Sequence, residues 1–192
     1  MLKVLIVDND ITRSKPLKQS LIDNGFKVIA HVEDDVNLHD VCCEVEPDIV
    51  IIDTESPNRD TLENICVMSQ HKPRPVVMFT HDGDKAKIKA ATKAGVCAYV
   101  VGTIQSERLT PVIDAAVARF EETKQLRDEL NTATLKLEER KLVERAKGIL
   151  MRQRNLDEEQ AYVMLREMAM KRNMKIADLS TQLIDAAKML II

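Results

Sequence analysis

The chain has 192 residues, with 28 Lys and Arg against 31 Asp and Glu, and is long enough for one core or two small ones. At 45% hydrophobic and 31% charged, with 5 Gly and 6 Pro, it is neither disordered nor collagen-like. No apolar run reaches the roughly 20 residues that span a bilayer, and Met1-to-Val7 meets Asp8 too soon for a signal peptide; a cytoplasmic protein with no membrane partner is expected.

Up to about residue 104 short β-rich runs alternate with amphipathic stretches, the pattern of a doubly wound parallel α/β sheet. Strands are expected at Lys3–Val7, Lys27–Val32, Ile49–Ile52, Val76–Thr80 and Cys97–Val101, each nearly continuously apolar, as strands covered on both faces are. Helices fill the gaps at Ile11–Asn24, Val36–Glu44, Asp60–Gln70 and Asp84–Ala94, stopped by Gly25, Pro47, Pro73 and Gly95. The cysteines, Cys42, Cys43, Cys66 and Cys97, form no CxxC pair and lie among apolar neighbours, which predicts reduced core thiols.

From Ser106 onward the β signal vanishes. Ser106 is the expected N-cap of a helix running to about Arg154, with Pro111 in or near its first turn. Leu126, Leu130, Ala133 and Leu137 follow the 4-3-4 spacing of a short coiled-coil seam, and homodimerisation is expected there. Asn155 supplies a left-handed stop. Asp157 with Gln160 reads as a capping box, opening a helix to about Arg172, and Asn173 is the next stop. A last helix, Ile176 to about Leu190, puts Ile176, Leu179, Leu183, Ala187 and Leu190 on one side.

Charge divides the chain. Residues 1–120 hold 14 basic and 18 acidic side chains, whereas residues 140–175 hold 10 and 5, a net of +5. That suits a polyanion partner and equally suits an ordinary solvated helical surface.

Ligands of open parallel sheets gather at the carboxyl ends of the strands. Asp8 and Asp10 follow the first strand, Asp53 ends the third, Thr80 ends the fourth and Tyr99 lies in the fifth. Carboxylates so placed could hold a hard cation such as Mg²⁺. With Asp53-Thr-Glu-Ser-Pro57, this pattern resembles the receiver domain of bacterial two-component response regulators over about residues 1–122. The resemblance makes Asp53 the phosphoacceptor, Asp8 an acidic-pocket residue, and Thr80 and Tyr99 the switch pair. Two positions depart from it. Asn9 stands where a second acid is expected, with Asp10 as a partial substitute. No Lys follows the fifth strand, where Val100-Val101 runs into Gly102-Thr103. Without that ammonium, worth about 1.5–3 kcal/mol as a charge-assisted contact, phosphorylation couples weakly to output. Use of the receiver as a docking and dimer scaffold is the favoured reading; no cofactor is required and Mg²⁺ would bind weakly.

On a helix Lys141, Arg145, Gly148 and Arg152 fall within about 60° of one another, a ridge facing away from Leu142, Ala146, Ile149 and Leu150. Gly148 lets another backbone approach closely or merely relieves crowding against a neighbouring helix. Tyr162 lies at the edge of an Ala161, Leu165, Met168 and Ala169 stripe, with Arg166 one turn on. The pair could stack on an unpaired base, or Tyr162 is a core-edge ring with its hydroxyl in water.

Leu137 to Met151, Asp157 to Tyr162 and Leu165 to Ala169 together resemble the ANTAR domain of transcription antiterminators, over about residues 131–190. The order of a degenerate receiver (1–122), a long-helix joint (106–140) and an ANTAR output (131–192) resembles the AmiR and NasT family. Pro73 to Thr80, Ala98 to Val101 and Ala115 to Phe120 look nearest to the NasT group. The resemblance implies an RNA-binding antiterminator that grips paired stem-loops in leader mRNA as a dimer and keeps the terminator from forming, so that RNA polymerase reads through. It further implies nitrate and nitrite assimilation targets and control by a nitrate-sensing protein of the NasS type. Lys141, Arg145, Lys147 and Arg152 would neutralise phosphates, and Tyr162 and Arg166 would touch loop bases. The alternative is a phosphorylation-dependent regulator with another nucleic-acid or protein-interaction output. An enzyme is not expected: no nucleophile-base pair or phosphate loop appears, and His31, His39, His71 and His81 lack metal-ligand spacing.

Overall fold

A computed structural model describes residues 1–34, 36–102 and 105–189, excepting the side chains of residues 11–13. The chain divides into two compact units, Met1–Lys124 and Gln125–Ile192.

The first unit alternates β1 (Lys3–Val7), α1 (Ile11–Asp23), β2 (Lys27–Val32), α2 (Leu38–Val45), β3 (Ile49–Thr54), α3 (Arg59–His71), β4 (Val76–Thr80), α4 (Lys85–Ala94) and β5 (Ala98–Val101), followed by the first part of α5 (Ser106–Arg154). All strand pairs are parallel, in the order β2-β1-β3-β4-β5. Successive side chains of a strand point to opposite faces. The continuous apolar runs therefore feed two cores. Leu5, Val7, Val50, Ile52 and Met78 meet Leu38, Cys42, Ile65 and Met68 of α2 and α3. Val4, Ile6, Ile49, Ile51 and Phe79 meet Leu17 and Leu21 of α1 and Leu109 and Ile113 of α5.

Local chemistry sets the boundaries. The side chain of Asn37 accepts from His39 N, so α2 starts at Leu38 rather than Val36; that of Asn58 accepts from Thr61 N, so α3 starts at Arg59 rather than Asp60. Asp84 accepts from the amides of Ala86 and Lys87. Glu46 closes α2 in the left-handed region, φ 47°. Gly95 closes α4 at φ 116°, and a Cβ there would strike Ser69. Ser106 is the first residue of α5 rather than its cap, and Pro111 falls in the helix's second turn. Cys42 is buried, which pushes its thiol up to about 11, and Cys66 and Cys97 are half-buried. Cys43 is exposed, so the expected set of core thiols loses one member.

The second unit holds the remainder of α5 with α6 (Glu158–Lys171) and α7 (Ile176–Met189). Asn155 and Asn173 take the left-handed conformation, at φ 52° and 53°, and Asp157 with Gln160 forms the capping box, as their sequence positions predict. Ala146, Leu150, Ala161, Leu165, Ala169, Leu179 and Ile184 make its core. Ile184, absent from the expected stripe, is buried, while Ile176 and Leu183 pack at its margin; Leu190 lies outside the described residues. Among the described residues no helix is long and apolar enough to cross a membrane.

Candidate receiver pocket and basic helical surface

At the carboxyl edge of the sheet, register brings the expected residues together. Val7 of β1 pairs with Ile52 of β3, so Asp8 and Asp53 emerge side by side, and Thr54 pairs with Thr80. Asp53 is the penultimate residue of β3, which runs on to Thr54. Asn9, Asp10, Asp34, Asp53, Glu55 and Ser56 line a concavity of about 390 Å³; Asp34 and Glu55 join the acidic residues named from sequence.

A receiver-type centre implies Mg²⁺, an ion held by one or two carboxylates with waters, and Asp8, Asp10 and Asp53 are the carboxylates that would hold it here. The Asn9 side-chain oxygen accepts from the backbone of Asp34 at 2.7 Å, which turns it to the loop after β2. Asp8 Oδ1 accepts from the backbone of Asp10 at 2.8 Å. Among the described residues no three carboxylate, imidazole or thiol groups converge to hold a metal ion.

Beside this concavity lies a network that sequence reasoning missed. Lys87 of α4 donates to Ser56 Oγ and to Asp82 Oδ2, both at 2.6 Å, and Ser56 donates to Asp82 Oδ2 at 2.7 Å. Asp82 N donates to Thr80 Oγ1, whose hydroxyl donates to the Glu55 carbonyl, and Tyr99 donates to the Asp82 carbonyl at 2.8 Å. Thr80 and Tyr99, the switch-like pair, are thus both tied to Asp82. Hydrogen bonds from Lys87 and Ser56 hold the Asp82 carboxyl far below the usual carboxylate range, and the bond to Asp82 holds Lys87 protonated above its usual value. The signal was present in the sequence as Asp82 two residues after Thr80, but its partners come from other elements. Where the receiver pattern has Lys, Gly102 turns at φ 89° and donates its N–H to the Thr80 carbonyl.

On the second unit, Lys141, Arg145 and Arg152 are exposed and form no hydrogen bond or ion pair among the described residues. Lys147 does not join them. It is 7% exposed, with its ammonium 2.8 Å from Glu158 and 2.9 Å from Glu144. The bond to Glu158 holds Lys147 protonated above its ordinary range and Glu158 ionised below its own. A step of two residues from Arg145 turns about 200° around a helix, which carries Lys147 off the ridge. This corrects its expected role as a phosphate contact.

On α6, Tyr162 is 44% exposed and Arg166 is exposed beside it, while Ala161 and Leu165 are buried and Met168 is half-buried. Gly148 relieves no crowding, because a Cβ there meets nothing within 4 Å. On α5, Leu126, Leu130 and Leu137 are 60%, 66% and 54% exposed and Ala133 is exposed, an apolar line that none of the described residues covers.

The sequence matches the response regulator receiver domain over residues 4–114 and the ANTAR domain over residues 131–184. It is 31% identical over 170 residues, 88% of this chain and 83% of the relative, to the transcriptional regulatory protein PdtaR of Mycobacterium tuberculosis. It is 30% identical over 117 residues to the chemotaxis protein CheY of Listeria monocytogenes, covering 60% of this chain and 98% of that protein. The receiver domain of a modulated diguanylate cyclase from Desulfovibrio desulfuricans G20 superposes with a TM-score of 0.56 at 19% identity, covering 64% of this chain and 98% of that one, a likeness of fold.

Proposed function

Because the chain belongs to the response regulators, with a receiver followed by an ANTAR domain, we propose that it is an RNA-binding transcription antiterminator. It grips paired stem-loops in leader mRNA as a homodimer and keeps the terminator hairpin from forming, so that RNA polymerase reads on. One observation carries this reading. Lys141, Arg145 and Arg152 stand exposed and without partners among the described residues of the three-helix unit, with the Tyr162 ring and Arg166 exposed on α6. Cations left unsatisfied by their own fold suit phosphates, which set affinity and salt dependence. Tyr162 and Arg166 suit unpaired bases, since sequence reading in RNA occurs in loops and not in the narrow A-form major groove.

Dimerisation runs through Leu126, Leu130, Ala133 and Leu137. Asp53 stays the phosphoacceptor-like residue, with Asp8 and Asp10 as its acidic neighbours and Thr80 and Tyr99 as switch-like side chains. Control comes from a docked sensor protein rather than from phosphorylation: the pocket lacks a second acid at Asn9 and an ammonium at Gly102, and Asp82 and Lys87 already satisfy each other. The likeness of the receiver to the NasT group supports nitrate and nitrite assimilation leaders as targets and a nitrate-sensing protein of the NasS type as that partner.

Titration of the full chain into a two-hairpin leader RNA, its single-hairpin halves and duplex DNA of matched length tests the reading. Preference for the paired hairpins is expected. Equal or tighter binding to the DNA would overturn it, and stoichiometric phosphorylation of Asp53 that changes oligomeric state would overturn the mode of control.

A further inference from the structure

Gly148 lies deep inside α5, where glycine costs stability relative to alanine. Two internal reasons usually retain such a glycine: a positive φ or a neighbour too close for a Cβ. Neither holds, since Gly148 is not among the positive-φ glycines and a Cβ there would meet nothing. Nothing among the described residues accounts for it.

Gly148 opens onto a groove of about 420 Å³ between the end of α5 and α7, within the roughly 300–1,000 Å³ of small-ligand clefts. Ile149 and Ile184 are apolar walls; Arg145, Arg152 and Lys188 are its charged lining residues, and no carboxylate lines it. Asp185 pairs with Lys188 at 2.9 Å, at the surface. Arg145 and Arg152 form no ion pair among the described residues. An apolar cleft edged by cations alone complements a flat apolar body flanked by anions, the chemistry of one nucleobase with a phosphate on either side.

We infer that this groove takes a single unpaired base of a looped RNA strand, with Gly148 admitting it against the helix backbone and Lys188 of α7 holding a flanking phosphate. The inference deepens the RNA reading above and rests on it. It places a base on α5 and α7, whereas Tyr162 and Arg166 lie on α6 and do not line the groove.

The test uses the full chain and a pool of two-hairpin RNAs with randomised loops. The probes are the RNA that wild type enriches, its loop-scrambled twin and the bare stem. Gly148→Leu fills the groove and should bind the enriched RNA roughly 5- to 150-fold more weakly, the equivalent of one lost base contact, with unchanged affinity for the scrambled twin and unchanged helical content. Gly148→Ala should melt a few degrees higher than wild type yet bind the enriched RNA more weakly, so lost folding cannot mimic the result. Lys188→Ala should reduce the salt slope by about 0.7, one single-strand phosphate contact. Full affinity in a folded Gly148→Leu chain overturns the groove while leaving the RNA reading standing. A change of oligomeric state with RNA affinity intact overturns it in favour of a second copy of the chain. A wild type that enriches no looped RNA overturns both.

Discussion

The carboxyl edge of the sheet and the surface of the three-helix unit handle charge in opposite ways. At the sheet edge, Asp82 gathers Lys87, Ser56, Thr80 and Tyr99 into hydrogen bonds of 2.6–3.2 Å that satisfy one another. On the helices, Lys141, Arg145 and Arg152 are exposed and have no partners among the described residues. Charge already answered inside a fold holds that fold in shape, whereas charge left unanswered in a row is available to a ligand. Lys147 makes the point within α5 itself. It carries the same positive charge as its neighbours, but Glu144 and Glu158 claim it.

The apolar seam of α5 carries the largest expected effect. Leu130→Lys should turn the dimer into a monomer by sedimentation and lower affinity for a two-hairpin RNA by about 100-fold or more, the avidity of paired sites, while single-hairpin affinity stays unchanged. Replacing Arg145 and Arg152 together by Ala should cost about 100-fold on every hairpin, from two charge-assisted contacts, in a filter-binding or fluorescence titration. Tyr162→Ala should cost about tenfold on the cognate loop and nothing on a scrambled one; equal losses on both would erase the division between phosphate and base contacts. Lys147→Met should leave RNA affinity within about twofold, whereas Lys147→Ala should destabilise the unit by about 1–2 kcal/mol through lost packing of its stem, read by thermal melting.

The smallest effect concerns pH. The folded carboxyl of Asp82 titrates below its ordinary value, so its network contributes stability above that ordinary value and loses it only as pH falls through the lower folded one. Asp82→Asn should melt below wild type from pH 5 to 8, as an order-of-magnitude window, and the gap should close only well below about pH 4. A gap that closes by pH 6 would mean that the Lys87 contact does not hold Asp82.

Much of this architecture was legible in the sequence, because runs such as Val4 to Val7 and Ile49 to Ile52 are apolar without interruption, and only strands covered on both faces tolerate that. The long helix was legible because nothing between Ser106 and Arg154 stops one except Pro111 and Gly148. Helix starts slipped by one or two residues at Asn37 and Asn58, where a side chain rather than the apolar period fixes the boundary. Contacts between distant elements stayed hidden. Ser56, Asp82 and Lys87 come from three places in the chain, and Glu158, which buries the charge of Lys147, sits on the next helix. The groove at Gly148 was half legible: the glycine interrupts a helical run, but Lys188 and Ile184 reach it from α7.

Which cations meet phosphate decides how this surface works. The most direct measurement is the slope of log affinity against log salt for a looped RNA, in wild type, in Arg145→Ala with Arg152→Ala, and in Lys147→Met. The account predicts that the double variant flattens the slope by about 1.4, two single-strand contacts at roughly 0.7 each, and that Lys147→Met leaves it unchanged. A flattened slope in Lys147→Met beside an unchanged one in the double variant would contradict it.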